Sequence, residues 1–231
     1  MPGIEDFKNG QVLLIDKPLH WTSFQVVNKL RWAIKKRFKL KKIKVGHAGT
    51  LDPLASGLLI ICTGKMTKQI DFFQGQEKEY TGTFTLGSTT PSFDLETAVN
   101  NTFPTQHITS ELIHKTTQTF TGKIEQIPPV FSAVKKEGKR LYEFARAGKE
   151  VEIKPRIVTI SEFEITAIRE LEVDFRVVCS KGTYIRSLAH DFGMALNSGA
   201  YLSGLRRTRI GDFEVANAIT IEDFLTLLEV E

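Results

Sequence analysis

Cysteine is scarce in this chain: Cys62 and Cys179 are the only two among 231 residues, and each lies inside an apolar or β-branched run. Two such thiols read as reduced core residues rather than a disulfide framework, which points to a reducing compartment, the cytoplasm. Long apolar stretches are missing as well. No run approaches the length that spans a bilayer, and the opening MPGIEDFKNG has neither a basic start nor an apolar centre. Secretion, membrane insertion and membrane partners are therefore not expected. There is no CxxC, no HExxH and no cluster of His and carboxylate at ligand spacing, so no metal is expected. The G-x-x-G of Gly46 to Gly49 is too short for a phosphate-cradling loop, and no G-x-G-x-x-G opens a helix after a strand. Cofactors are expected to be none, which counts against a methyltransferase.

What is present is enough for a packed protein. With 41% hydrophobic and 10% aromatic residues, the chain can bury one large core or two small ones. Its net charge of +4 conceals an asymmetry: Lys29 to Lys44, KLRWAIKKRFKLKKIK, holds nine Lys or Arg and no acid, so the rest of the chain is net acidic. A basic stripe on an acidic body binds a polyanion locally without coating the whole surface with it, although such runs also occur as plain solvated helix faces.

Val12 to Ile15 reads as a short strand ending in the turn Asp16-Lys17-Pro18. Thr22 or Ser23 then caps a helix whose Phe24, Val27, Leu30, Ile34 and Phe38 recur every three or four residues as an apolar stripe. The Gly- and Pro-containing loop GHAGTLDPLASG leads into LLIICTG, a continuous apolar run typical of a buried strand. Tyr80, Phe84 and Leu86 alternate with threonines, the two-residue period of a half-buried strand. Helix returns from Thr109 to Thr121. The segment IPPVFSAVKKEGKRLYEFARAG suggests a protruding loop with a helical tip, strands occupy Val151 to Cys179, and helices follow near Arg186 to Leu196 and Ile221 to Leu228. This order predicts one α+β domain over residues 1–231, with a small lobe inserted at about 120–150.

Asp52, followed by Pro53 in a Gly-rich loop beside His47, is the remaining candidate for chemistry. Taken alone, Asp before Pro is usually a turn starter or a helix cap. The wider pattern says more. GHAGTLDPLASGLLIICTGKMTK resembles the signature of the TruB family of tRNA pseudouridine synthases, and further blocks resemble that family in the same order: DKPLHWTS, KEYTGTFTLG, IEQIPPVFSAVKKEGKRLYEFARAG, CSKGTYIRSLAHDFG and LRRTRIGDF. The resemblance runs from about Gly10 to Leu228.

It implies the pseudouridine synthase fold, a mixed and largely antiparallel sheet flanked by helices with an inserted RNA-binding loop region. It also implies a cofactor-free isomerisation of uridine 55 in the T-loop of tRNA, in which the uracil is rejoined to the ribose through carbon-5. Asp52 takes the nucleophile's place, Arg186 that of its ion-pair partner, and Tyr80 that of a ring stacked on the base with a hydroxyl able to move a proton. Tyr184 and Leu205 match positions that wall the displaced uridine. His47 matches a histidine that packs against T-loop nucleotides as they leave the stack, and Lys17 is placed at a phosphate. Without the resemblance, Tyr80 reads as core, Arg186 as structural and Lys17 as a solvated turn residue. A monomer acting on the tRNA T-arm is expected, and the alternative is a tRNA-binding or folding module without catalysis.

Two departures from the family pattern stand out. The stretch usually written T-D-T-x-D-x-x-G reads TTPSFDLE, keeping Asp94 but placing Thr90 at the first acid and Glu96 at the glycine. The chain also stops soon after LRRTRIGDFEVANAITIEDFLTLLEVE, so a C-terminal PUA-type domain is expected to be absent or vestigial. The basic RWAIKKRFKLKKIKV reads as an extension that could supply the missing contacts.

Overall fold

The run LLIICT lacks alternation because its strand has protein on both faces. Leu59 and Ile61 pack into one core with Phe7, Ile15, Val27, Leu30, Ile34, Ile221, Phe224 and Leu228. Leu58, Ile60 and Cys62 point the other way, into a second core with Ala48, Phe73 and Ile210. Successive strand residues face opposite sides, so a strand buried twice must be apolar throughout. Each such Leu or Ile contributes about 1.5–3 kcal/mol through burial.

The computed structural model describes residues 3–132, 135–136, 139–140 and 152–229. Its strands are β1 (Val12–Lys17), β2 (Val45–His47), β3 (Ser56–Thr63), β4 (Lys78–Leu86), β5 (Ser88–Thr89), β6 (Asn101–Thr102), β7 (Gly122–Gln126), β8 (Lys135–Lys136), β9 (Lys139–Arg140), β10 (Arg156–Arg169), β11 (Glu172–Cys179), β12 (Ala200–Ile210) and β13 (Phe213–Glu214). The helices are α1 (Ile4–Asn9), α2 (Ser23–Arg37), α3 (Ile70–Gly75), α4 (Ser110–Thr119), α5 (Ile185–Ala195) and α6 (Ile221–Glu229). The chain divides into two compact units, one made of the residues up to Tyr80 with those from Leu205 onward, the other running from Thr81 to Gly204. The boundaries fall inside β4 and β12. No helix among the described residues is long and apolar enough to cross a membrane.

In the first unit β3 pairs antiparallel with β1 and β2 and parallel with the later part of β12, giving a mixed sheet. Helix α2 begins where Thr22 accepts the Gln25 amide while the Gln25 side chain accepts the Thr22 N–H, a reciprocal capping box. Lys35, Lys36 and Arg37 end it, cations facing the negative end of the helix dipole. Its buried stripe is Ser23, Val26, Val27, Leu30, Ala33 and Ile34. Phe24, expected on that stripe, is 63% exposed. At 100° per residue it stands ~120° round the helix from Leu30, outside the inward face.

The second unit holds the antiparallel run β7–β10–β11, with register shifts in β10 near Ile160 and Ile165. Its core is aromatic: Phe84 stacks on Phe175 at 4.1 Å, and Phe163 and Phe192 close around them. Phe192 comes from α5, whose Ile185, Leu188 and Ala189 are also buried. Both cysteines are buried free thiols, and burial pushes that of Cys62 up to about 11. Most of the expected loop lobe, including its helical tip, lies outside the described residues.

Candidate active site

The loop carrying Asp52 is held mainly through its backbone. Arg207, buried in β12, donates from Nε to the Leu58 carbonyl at 2.8 Å, from Nη2 to that of Gly49 at 3.2 Å and from Nη1 to that of Thr50 at 3.5 Å. The Ser23 hydroxyl engages both backbone groups of Leu51. His20, at φ 65°, donates its N–H to the Pro53 carbonyl at 2.7 Å, and the Ala55 N–H closes a turn onto the Asp52 carbonyl at 3.1 Å. Four neighbours of Asp52 are thus fixed, and Asp52 itself is half-buried.

Beside the loop, three residues stand in a row across three strands. Lys17 of β1 is opposite Gly57 of β3, which is opposite Arg207 of β12. Gly57 has φ +105°, and a Cβ there would meet the Arg207 carbonyl oxygen at 2.3 Å, so no side chain fits between the two cations. Lys17 is fully buried and donates to the carbonyls of Pro18 at 2.9 Å and Trp21 at 2.7 Å. Burial lowers its pKa to about 8; the nearby Asp52 carboxylate works against that, Arg207 adds to it and Asp16 opposes it more weakly. The phosphate contact expected for Lys17 is not what its ammonium makes in the structure, because its donors already face the protein interior. Across this row, Arg206, opposite Ser56, forms a bidentate ion pair at 2.7 and 3.1 Å with Asp16, opposite Leu58.

His47 ends β2, opposite Ile61. Its Nδ1 is buried without a hydrogen-bond partner among the described residues. Burial and then the Arg207 charge hold its pKa below the usual value, so the ring is neutral at pH 7. Tyr80 on β4 is only 9% exposed, while Leu205 on β12 is half-buried. Asp52, Lys17, His47, Tyr80 and Leu205 all belong to the first unit, and the shared charges of Arg207, Lys17 and Asp52 tie the first three together.

Tyr184 and Arg186 belong to the second unit. Tyr184 stands at the N-cap of α5, where the Gln126 side chain accepts its N–H at 2.8 Å and donates to its carbonyl at 3.1 Å. Its ring is left half-exposed. Arg186, one residue into the helix, is buried; its Nε faces Asp94 Oδ2 at 3.6 Å and its Nη1 donates to the Ser92 carbonyl at 3.3 Å. The two departures in TTPSFDLE are absorbed locally. Thr90 donates its hydroxyl to the Asp94 carbonyl at 2.7 Å, and the Glu96 N–H donates to Asp94 Oδ1 at 2.9 Å. Glu96 is not among the residues with positive φ, so the turn does not require glycine there. Among the described residues no group of three or more His, Cys, Asp or Glu is arranged to hold a metal.

The sequence profile described as TruB family pseudouridylate synthase, N-terminal domain, matches residues 35–185. The chain belongs to the TruB family. A second profile, tRNA pseudouridylate synthase B C-terminal domain, matches residues 186–231 of this TruB-family chain. A protein named tRNA pseudouridine synthase B from Flavobacterium johnsoniae is 64% identical over 221 residues, 95% of this chain and 96% of its own length. One of the same name from Phocaeicola vulgatus is 58% identical, covering 95% and 93%. Among solved structures, a Cbf5-Nop10-Gar1 complex contains a chain 33% identical with a TM-score of 0.72, over 97% of this chain and 56% of that one. An archaeal box H/ACA sRNP Nop10-Cbf5 complex gives 28% identity and a TM-score of 0.69, over 99% and 57%. The TruB-family chain thus spans just over half the length of those solved chains, and shares with them the pseudouridine synthase fold.

Sequence reasoning about this TruB-family chain passed over Arg207 and Ser23. Nothing in LRRTR separates Arg207 from Arg206 and Arg209; what singles it out is its place beside Gly57. Ser23 was weighed only as a helix cap. Asp94 had a signal, since it is the acid retained in the altered stretch.

Proposed function

We propose that this chain is a tRNA pseudouridine synthase that isomerises uridine 55 of the T-loop without a cofactor, with Asp52 as the nucleophile. The observation that carries the reading is the GHAGTLDPLASG loop, whose backbone is pinned on both sides of the half-buried Asp52, in a chain 64% identical to a protein named tRNA pseudouridine synthase B. The reaction breaks the bond from ribose C1′ to uracil N1, forms one from C1′ to C5, and releases the C5 proton to water. Attack at the ribose, attack at the base and elimination to a glycal all need an ionised carboxylate held beside the sugar–base bond. Lys17 and Arg207 supply positive charge next to it.

The remaining roles are proposed on the family motifs. Arg186 orients the reacting carboxylate, Tyr80 stacks on the base and moves the C5 proton, Tyr184 and Leu205 wall the uridine, and His47, neutral and half-buried, packs against the opened loop. Lys17 acts within the protein, as a buried cation behind Asp52. The chain works as a monomer in the cytoplasm, as one domain in function. The test is incubation with an unmodified tRNA transcript tritiated at uridine C5. Release of one tritium per tRNA, mapped to residue 55 with no change in RNA mass, is expected. Binding without release would leave a tRNA-binding module, and a mass increase would mean a different modification.

A further inference from the structure

Helix α2 turns Leu30 and its neighbours inward and carries Asn28, Trp32 and Lys35 on the opposite side, ~140–200° round the axis. Together with Arg31, Lys36 and Leu40 they line a shallow groove in the first unit. Trp32 is 54% exposed. The exposed indole offers a flat aromatic face on which a planar ring can stack. Two ammonium groups accompany it: Lys29 Nζ is 5.3 Å and Lys36 Nζ 5.0 Å from the ring centroid. Beyond the helix, Phe38, Leu40 and Ile43 pack towards the core while Lys39, Lys41, Lys42 and Lys44 stay exposed. None of Lys29, Lys35 or Lys36 forms an ion pair among the described residues.

We infer that the Trp32 groove is an RNA subsite, in which an unpaired nucleobase of the substrate stacks on the indole while Lys35, Lys36 and Arg31 hold the flanking phosphates. The inference rests on the reading of the chain as a tRNA-modifying enzyme and adds a contact outside the reacting loop. The pairing of one flat ring with several cations selects the occupant. A base with its phosphates uses both features; an acidic peptide uses the cations alone, and a bilayer would need more than a single exposed aromatic. Lysines on four-carbon stems can leave the ring for phosphates as the base takes their place.

The test uses the full chain, with tritium release as the control on the parent reading. Trp32→Ala should bind tRNA about tenfold or more weakly, the range for loss of one base–aromatic stack, while Trp32→Phe keeps most of the affinity. Replacing Lys35 and Lys36 with Gln should lower the salt slope of binding by about 1.4–1.8. Turnover at saturating tRNA should match the parent in each variant; Trp32→Phe should melt close to the parent, and the double lysine variant should melt only slightly lower, by the loss of two cations at the C-terminal end of the helix. In a Trp21→Phe background, tRNA should quench the fluorescence of Trp32, and vesicles of phosphatidylserine and phosphatidylcholine should not. If the parent releases tritium while Trp32→Ala binds tRNA as tightly as it does, the inference is overturned and the enzyme reading stands. A Trp32 that responds to vesicles and not to RNA overturns it likewise. If the parent neither binds tRNA nor releases tritium, both fall together.

Discussion

The Ser23 hydroxyl serves both backbone groups of Leu51, accepting from its N–H at 2.8 Å and donating to its carbonyl at 3.0 Å. Ser23 and Leu51 are both buried, so water cannot replace the hydroxyl. Ser23→Ala should cost about 2–6 kcal/mol of stability, the sum for two orphaned groups. Since Leu51 adjoins Asp52, single-turnover rates should fall while tRNA affinity holds. Urea melts and rapid-quench assays check the two halves, and a variant at parental stability and rate would show the bonds to be dispensable.

Asp52→Asn keeps the volume of the side chain and removes the proposed nucleophile. Affinity for tRNA should stay within a few-fold of the parent and multiple turnover should vanish. Sustained tritium release from a preparation free of parental enzyme would remove Asp52 from its role.

Arg186→Lys retains the charge and loses the planar fork that reaches Asp94 and Ser92 together. The rate should drop by at least 100-fold, with a much smaller change in tRNA affinity. A purely structural arginine would instead lower stability and leave kcat intact at a temperature where the variant is folded.

Lys17 gives a pH signature. Its pKa of about 8 in the folded chain lies below the ordinary 10.5. As pH rises through about 8 the folded protein loses the cation behind Asp52, so single-turnover rates should decline on that limb, and Lys17→Met should flatten it. Stability moves the other way. Between about 8 and 10.5 the unfolded chain binds more protons, so the contribution of Lys17 to stability increases with pH across that window. Melts and rates from pH 6 to 9.5 test both signs.

Asp191, on α5, has its pKa pushed up to about 6 by burial, and its carboxyl group has no hydrogen-bond partner among the described residues. The folded chain therefore binds more protons than the unfolded one between about 4 and 6, and stability from this group is present at low pH and lost as pH rises through 6. Asp191→Asn should stabilise the protein by about 1–2 kcal/mol at pH 7.5, after allowing for partial solvent contact, and give no gain at pH 4. Calorimetry at the two pH values decides it.

Much of the fold was legible because its signals are local. The doubly buried β3 shows as an unbroken apolar run, β4 as alternation with threonine, and α2 as a stripe starting at the Thr22 cap. Phe24 misled because an aromatic three residues before Val27 satisfies the spacing while lying off the inward face. Asp52 was legible through the family signature and not through its chemistry, since an Asp before Pro is ordinarily a turn. The scaffold behind it was not legible at all. Arg207 and Gly57 are 150 residues apart and meet only because β3 and β12 run parallel, a pairing that no local period announces.

The way the Asp52 loop is gripped bears on how the protein can be varied. Arg207, Ser23 and His20 hold main-chain atoms of residues 49, 50, 51 and 53, so they impose a path and not a vocabulary. Thr50 and Pro53 are exposed and Leu54 is half-exposed. A library randomised at 50 and 54 should therefore keep its fold while changing the surface offered around the carboxylate. The loop works as an exchangeable cartridge in a fixed socket, and altered RNA preference could be selected there without rebuilding the catalytic frame.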